Sequence, residues 1–140
     1  MIRLAELDDV QGITELLEGF HRLAPHYTYN IDEVHNGAWS CIQSGDFSFV
    51  SVNNGVIQGV FLGLLTQNPI MSRSMVQEVV WYAEDQSGYS LLKAAIKAAK
   101  KHNVQCLHHT MLEPVDERAH NILTKRIGFS PLERSYLMKF

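Results

Sequence analysis

The most strongly patterned stretch lies near the middle of the chain. From Met75 to Tyr82 it reads Met-Val-Gln-Glu-Val-Val-Trp-Tyr, β-branched and aromatic residues interrupted only by Gln77 and Glu78, which predicts a buried central strand. A polar turn from Ala83 to Ser90 follows. Beyond it Leu91, Leu92, Ala95, Ile96 and Ala99 recur at helical spacing, while Lys93, Lys97, Lys100 and Lys101 take the opposite side and the last turn, the pattern of an amphipathic helix reaching Asn103. Val104 to Thr110 predicts a second strand, and pairing it parallel to the first through that helix makes one right-handed βαβ unit.

The flanking pattern is simpler. Ile2 to Ala5 predicts a short strand, and Asp8 with Gln11 has the spacing of a capping box opening a helix whose apolar face is Val10, Ile13, Leu16, Leu17 and Phe20. Pro25 breaks that pattern in a loop carrying His21, His26, Tyr27 and Tyr29, before a second helix from about Asp32 to Gly45 with Val34, Ala38, Cys41 and Ile42 inward. Phe47–Asn53 and Val56–Thr66 flank Asn54-Gly55, a strong hairpin signal. Gly59 and Gly63 within the second of these strands mark bulges or a close backbone approach. With the Met75 strand, reached through a loop at Pro69 and Arg73, they predict a three-stranded antiparallel meander. Pro114 and Asp116 open a last helix with Ala119, Ile122, Leu123 and Ile127 inward and Gly128 at its C-cap. Phe129–Leu132 and Tyr136–Phe140 predict closing strands joined near Glu133 and Arg134. The expected fold is α/β (α+β): one domain over residues 1–140, a mixed central sheet of antiparallel meander plus one βαβ unit, and about four helices.

Composition narrows the class of function. At 140 residues with 46% hydrophobic and 19% charged positions, the chain suits a single globular core and has no apolar run of membrane-spanning length. Met1–Glu6 lacks the apolar core of a signal peptide, and Cys41 and Cys106 fall within helix and strand patterns, so reduced thiols and a cytoplasmic location are expected. A net charge of −3 gives no general attraction to nucleic acid or to an acidic membrane surface. Small molecules or proteins are the expected partners. No metal site is expected, because strand alternation separates Cys106, His108 and His109 and no further Cys/His pair completes a set with His102. The turn at Ser87, Gly88 and Ser90 feeds a helix N-terminus, which reads either as a phosphate-sized anion site or as a tight strand-to-helix connection capped by Ser87.

The order strand, two helices, antiparallel meander, βαβ, helix and closing strands resembles the GNAT superfamily of acyl-CoA-dependent N-acetyltransferases over nearly the whole chain. Two local stretches carry it: Glu78-Val79-Val80-Trp81-Tyr82 leading to a Gly-containing turn, and Asn121-Ile122-Leu123-Thr124-Lys125-Arg126-Ile127-Gly128-Phe129, similar to the family's helix ending in Gly-Phe. The resemblance implies a bulged strand that splays from its parallel neighbour and admits acetyl-CoA as co-substrate. It places backbone groups of Val80 and Tyr82, around Trp81, on the pantetheine and thioester carbonyl, and Gln86, Ser87, Gly88, Tyr89 and Ser90 on the pyrophosphate. The acceptor is then a small-molecule or peptide amine, with the aromatics of the His26, Tyr27 and Tyr29 loop lining its pocket. Family members often dimerise, and no stretch here marks a dimer surface.

Two positions depart from the family pattern. Its pyrophosphate motif, Gln/Arg-x-x-Gly-x-Gly/Ala, is met only loosely by Gln86–Ser90, and Thr124 stands where many members place an acidic tyrosine. Acetyl transfer by direct attack needs an acceptor for the amine proton. Glu78 is the first candidate, sharing a face with Val80 on period-two spacing; it reads otherwise as a rim carboxylate paired with Arg73 or Arg126. His108 and His109 fall on opposite faces of their strand, so only one of them can relay a proton toward a ligand there, His109 or His108. Tyr136 is a candidate acid in place of the missing tyrosine, or a packed residue with a surface hydroxyl. The alternative function is a GNAT-like module that binds CoA or a protein without chemistry.

Overall fold

The structure, a computed structural model, describes residues 1–24, 28–68, 73–112, 115–133 and 135–140. The turns expected at Pro25, Pro69, Pro114 and Arg134 lie outside the described residues. The chain divides into two units, Met1–Thr110 and Met111–Phe140.

In the first unit the elements run β1 (Ile2–Leu4), α1 (Val10–Leu23), α2 (Ile31–Gln43), β2 (Phe49–Asn53), β3 (Val56–Asn68), β4 (Arg73–Ala83), α3 (Gly88–Lys101) and β5 (Cys106–His108). They form one five-stranded sheet in sequence order, antiparallel except for the parallel β4–β5 pair joined through α3. That is the expected meander plus βαβ unit. No helix among the described residues is long and apolar enough to cross a membrane.

Local chemistry sets the element ends. The expected capping box at Asp8 and Gln11 is not formed, since the Gln11 side chain donates to Glu15 instead. Asp9 takes that role in a 3-10 turn ahead of α1: its carboxylate accepts from both terminal guanidinium nitrogens of Arg3 at 2.6 and 2.8 Å and from the Glu6 N–H at 2.8 Å. Those bonds from Arg3 hold the Asp9 carboxyl below the usual carboxylate range despite its burial. Asn30 caps α2 by accepting from the Asp32 and Glu33 N–H groups. Asn54 and Gly55, at φ +50 and +77, close the β2–β3 hairpin in the left-handed conformation such a two-residue turn requires.

Strand alternation sends side chains to two cores. Val50, Val60, Leu62 and Val80 pack with Val10, Ile13, Leu16, Leu17, Ala38 and Cys41 of α1 and α2. On the other face Phe47 and Val76 pack with Ala99 of α3. In β4 the two faces exchange roles at one point. Leu62 pairs with Val80 but Gly63 pairs with Glu78, so β4 carries one extra residue, Val79, as a bulge. Gly63 permits this because a Cβ there would lie 2.7 Å from the Phe47 carbonyl oxygen and 2.9 Å from Val76 Cγ1.

In the second unit, α4 (Glu117–Asn121) is capped by Asp116, whose carboxylate accepts from the Arg118 and Ala119 N–H groups. It continues as a π-helical turn over Ile122–Ile127 and ends at Gly128, φ +98, with the Gly128 and Phe129 N–H groups both donating to the Leu123 carbonyl. The closing strands expected at Phe129–Leu132 and Tyr136–Phe140 are absent among the described residues. Pro131 removes a ladder donor from the first run, and in the second the alternation of Tyr136, Met138 and Phe140 marks a face without supplying a partner strand.

Gly63→Ala is expected to destabilise the protein by about 1–3 kcal/mol, because the contacted atom is backbone and cannot swing aside. Gly37, in mid-helix with nothing within 4 Å of where a Cβ would lie, serves as the control, and Gly37→Ala should stabilise by about 0.5–1 kcal/mol. Urea midpoints read both; a neutral Gly63→Ala would remove the steric account of the bulge.

Candidate functional site

β4 and β5 are paired at only three positions, Met75↔Cys106, Val76↔Leu107 and Gln77↔His108. Beyond Gln77, β4 continues to Ala83 against β3 alone, with no ladder partner on its β5 side among the described residues. The two parallel strands therefore part at Glu78, one residue before the bulge.

Ladder partners share a face and consecutive residues do not, so the bulge places Glu78 opposite to Val80 rather than beside it. The shared face expected from period-two spacing is lost because Val79 is inserted between them. Glu78 instead lies on the α3 side with Trp81. Val80 and Tyr82 point to the α1/α2 core.

The backbone follows the same register. The Glu84 N–H donates to the Gln58 carbonyl at 2.9 Å, making Ala83↔Gly59 a non-hydrogen-bonded pair. The peptide groups of Val80 and Tyr82 consequently turn to β3, and those of Trp81 and Ala83 turn to the open side. This corrects the assignment of Val80 and Tyr82 backbone groups to the opening, since their hydrogen-bonding capacity is used by the meander.

At the apex of the opening the carboxylate of Glu78 contacts Nδ1 of His109, and both side chains are about nine-tenths buried. The His109 ring lies edge-on to Trp81 with centroids 5.3 Å apart, and the Trp81 indole N–H donates to the Gly88 carbonyl at 2.9 Å. Of the two adjacent histidines, His108 instead meets its cross-strand partner Gln77, 2.7 Å from Nδ1 to Oε1. Among the described residues of this unit the partner of Glu78 is thus an imidazole rather than Arg73.

The turn into α3 is held by an acid. Asp85 accepts from the Ser87 N–H at 2.9 Å and from the Ser51 hydroxyl at 3.1 Å. Burial pushes its carboxyl up, but hydrogen bonds from Ser87 and Ser51 outweigh this and leave it below the usual range. Ser87 occupies the N-cap position without making a side-chain cap, and its Oγ is a buried hydroxyl without a hydrogen-bond partner. Gln86, Tyr89 and Ser90 are exposed and Gly88 half-buried. The turn fits a pyrophosphate in part: the first-turn amides of α3 and the orphaned Ser87 hydroxyl are donors, while the Asp85 carboxylate already takes one amide and adds negative charge.

Tyr29 packs against His21 at 4.7 Å between ring centroids and donates to the Thr14 carbonyl at 3.3 Å, with its phenol pushed up by burial. His26 and Tyr27 lie outside the described residues. Thr124 donates its hydroxyl proton to the His120 carbonyl at 2.8 Å, which commits it to the helix backbone. Tyr136 is 91% exposed in a segment without strand structure. Burial raises the Cys41 thiol to about 11, so it is no nucleophile near neutral pH. Sequence reasoning missed Asp85 and the exchange of faces at Val79; the adjacent polar pair Gln77-Glu78 inside an otherwise unalternating apolar run was the available signal for the latter.

No protein-family model and no curated protein matches the sequence. Solved structures do match over the full length. A ribosomal-protein-alanine N-acetyltransferase from Brucella melitensis biovar Abortus 2308 aligns with a TM-score of 0.72 at 15% identity, covering 100% of this chain and 98% of its own. An acetyltransferase from Trypanosoma brucei aligns at 0.71 and 16%, covering 100% and 99%. A mutant form of a Bacillus halodurans protein aligns at 0.74 and 18%, again covering 100% and 99%. The chain has the GNAT fold. Its bulged β4 and short β5 are the places where this GNAT-fold chain opens its sheet, and its departures fall in the turn into α3 and at Thr124.

Amide hydrogen exchange tests the opening without any ligand. The Trp81 and Ala83 amides are expected to exchange faster than those of Val80 and Tyr82, which β3 protects. Equal protection of all four would mean that the second side of β4 is bonded.

Proposed function

We propose that the chain is an acyl-CoA N-acyltransferase that passes an acetyl group from acetyl-CoA to a primary amine by direct attack. The observation that carries this reading is the parting of β4 and β5 after Gln77 with a buried carboxylate and imidazole in contact at its apex. Acetyl-CoA would supply the activated acyl group as a thioester. The α3 first-turn amides and the Ser87 hydroxyl would hold its diphosphate, and the outward peptide groups of Trp81 and Ala83 would bond the pantetheine arm. A prepositioned N–H on this open side of β4 would also stabilise the charge that develops on the thioester oxygen under attack. The buried pair Glu78–His109 receives the amine's proton. Two unpaired cysteines fit the reducing environment of the cytoplasm. A small-molecule or peptide amine is the acceptor, approaching past the Tyr29 loop.

A second reading is favoured by two specific contacts. Asp85 occupies an amide that a phosphate would use, and Thr124 is bonded to its own helix. The second suits a GNAT-fold module that binds CoA and performs no transfer, and the first suits one that binds a protein partner instead.

Binding and turnover separate the two. Acetyl-CoA at 100 times its dissociation constant is expected to stabilise the fold by about 2.7 kcal/mol, read as a thermal shift, and a panel of amines should then release free CoA thiol. A shift without thiol release across the panel supports the binding module; absence of both removes CoA from the account.

A further inference from the structure

Glu78 and His109 are both able to take a proton, and the geometry between them divides the work. The carboxylate meets the ring at Nδ1. An ionised carboxylate has only lone pairs to offer, so the neutral ring satisfies the contact by carrying its hydrogen on Nδ1. Nε2 is then the nitrogen with the lone pair. Glu78 has an oxygen engaged by the imidazole N–H. Trp81 fixes the ring plane from the side, edge-on at 5.3 Å, and is itself held by its bond to the Gly88 carbonyl. The bulge at Val79 is what brings Glu78 onto the α3 side with Trp81; were Val79 a regular ladder residue, the carboxylate would share the face of Val80.

Resting on the transfer reading above, we propose that His109 Nε2 is the proton acceptor of the reaction and that Glu78 is a positioning residue that sets the ring's tautomer. When the amine nitrogen bonds to the acyl carbon, its proton passes to Nε2, the carbon–sulfur bond breaks, and the thiolate leaves with the electron pair and is protonated by solvent. The imidazolium formed sits against the Glu78 carboxylate, which stabilises its charge as the buried acid of a catalytic triad does.

The decisive experiment pairs histidine NMR on the free protein with kinetics of two variants. In wild-type protein labelled uniformly with 13C and 15N, the His109 ring signals are assigned through its own backbone resonances; the proposal expects the Nδ1–H tautomer in the neutral ring. With the best amine of the panel, His109→Gln should lower kcat by about 10²–10⁴-fold and abolish the acid limb of the pH–rate profile. Glu78→Gln should lower kcat less, on the order of 10–100-fold, with that limb retained and KM for acetyl-CoA little changed. An Nε2–H tautomer in the wild type overturns the proposal, and this holds even if His109→Gln fails to fold. So does a Glu78→Gln loss exceeding that of His109→Gln, which would make Glu78 the base. A wild-type protein silent across the panel overturns the transfer reading and this inference with it, whereas turnover undiminished in His109→Gln overturns this inference alone.

Discussion

The inserted residue in β4 is the constraint on which the rest of the site depends. A strand that has one residue more than its partner must either buckle or reverse its faces, and here it reverses. Before Val79 the side chains of β4 serve the packing of Phe47 and Ala99 through Val76; after it, Val80 joins the α1/α2 core. Gly63 makes the reversal sterically allowed, since its missing side chain leaves room for the Phe47 carbonyl and Val76. The partner strand β5 ends its pairing at the same level. The opening is thus a product of packing on both faces of one strand rather than of a loop.

That origin has energetic meaning. Backbone donors and acceptors withdrawn from a ladder cost about 1–3 kcal/mol each when they find no replacement, so a strand edge left open inside a sheet needs water or a ligand. Packing keeps it open: Val80 and Tyr82 are anchored in one core and Trp81 is tied to the first turn of α3. The same anchoring links the apex to the phosphate end of the proposed site through one indole. Asp85 works against a diphosphate at that end, since it spends the Ser87 amide on holding the turn. On the proposed reading the open side of β4 would take the ligand and the Glu78–His109 pair the proton, while the turn would supply fewer donors than a fully developed pyrophosphate cradle.

Much of the architecture was legible because it follows from local patterning. The hairpin at Asn54-Gly55, the amphipathic faces of α1, α2 and α3, and the βαβ unit were read from period and turn chemistry and are present. Boundaries moved where capping chemistry was non-local: Arg3 reaches Asp9 across β1 and fixes the start of α1 in place of Asp8. The site was less legible. Period-two counting fails at a bulge, and so it put Glu78 beside Val80 and assigned the wrong peptide groups to the opening. Which histidine meets Glu78 depended on where β5 stops pairing, which no residue type announces. The C-terminal run had the alternation of a strand, but alternation does not provide a ladder partner, and Tyr136 stays exposed.

Crystals of the protein grown with CoA test the central claim most directly. The account predicts density for the pantetheine arm running between β4 and β5 beyond Gln77, bonded to the peptide groups of Trp81 and Ala83, with its sulfur beside His109. Density for CoA elsewhere on the molecule, or β5 extended and hydrogen-bonded to β4 as far as Ala83, would contradict it.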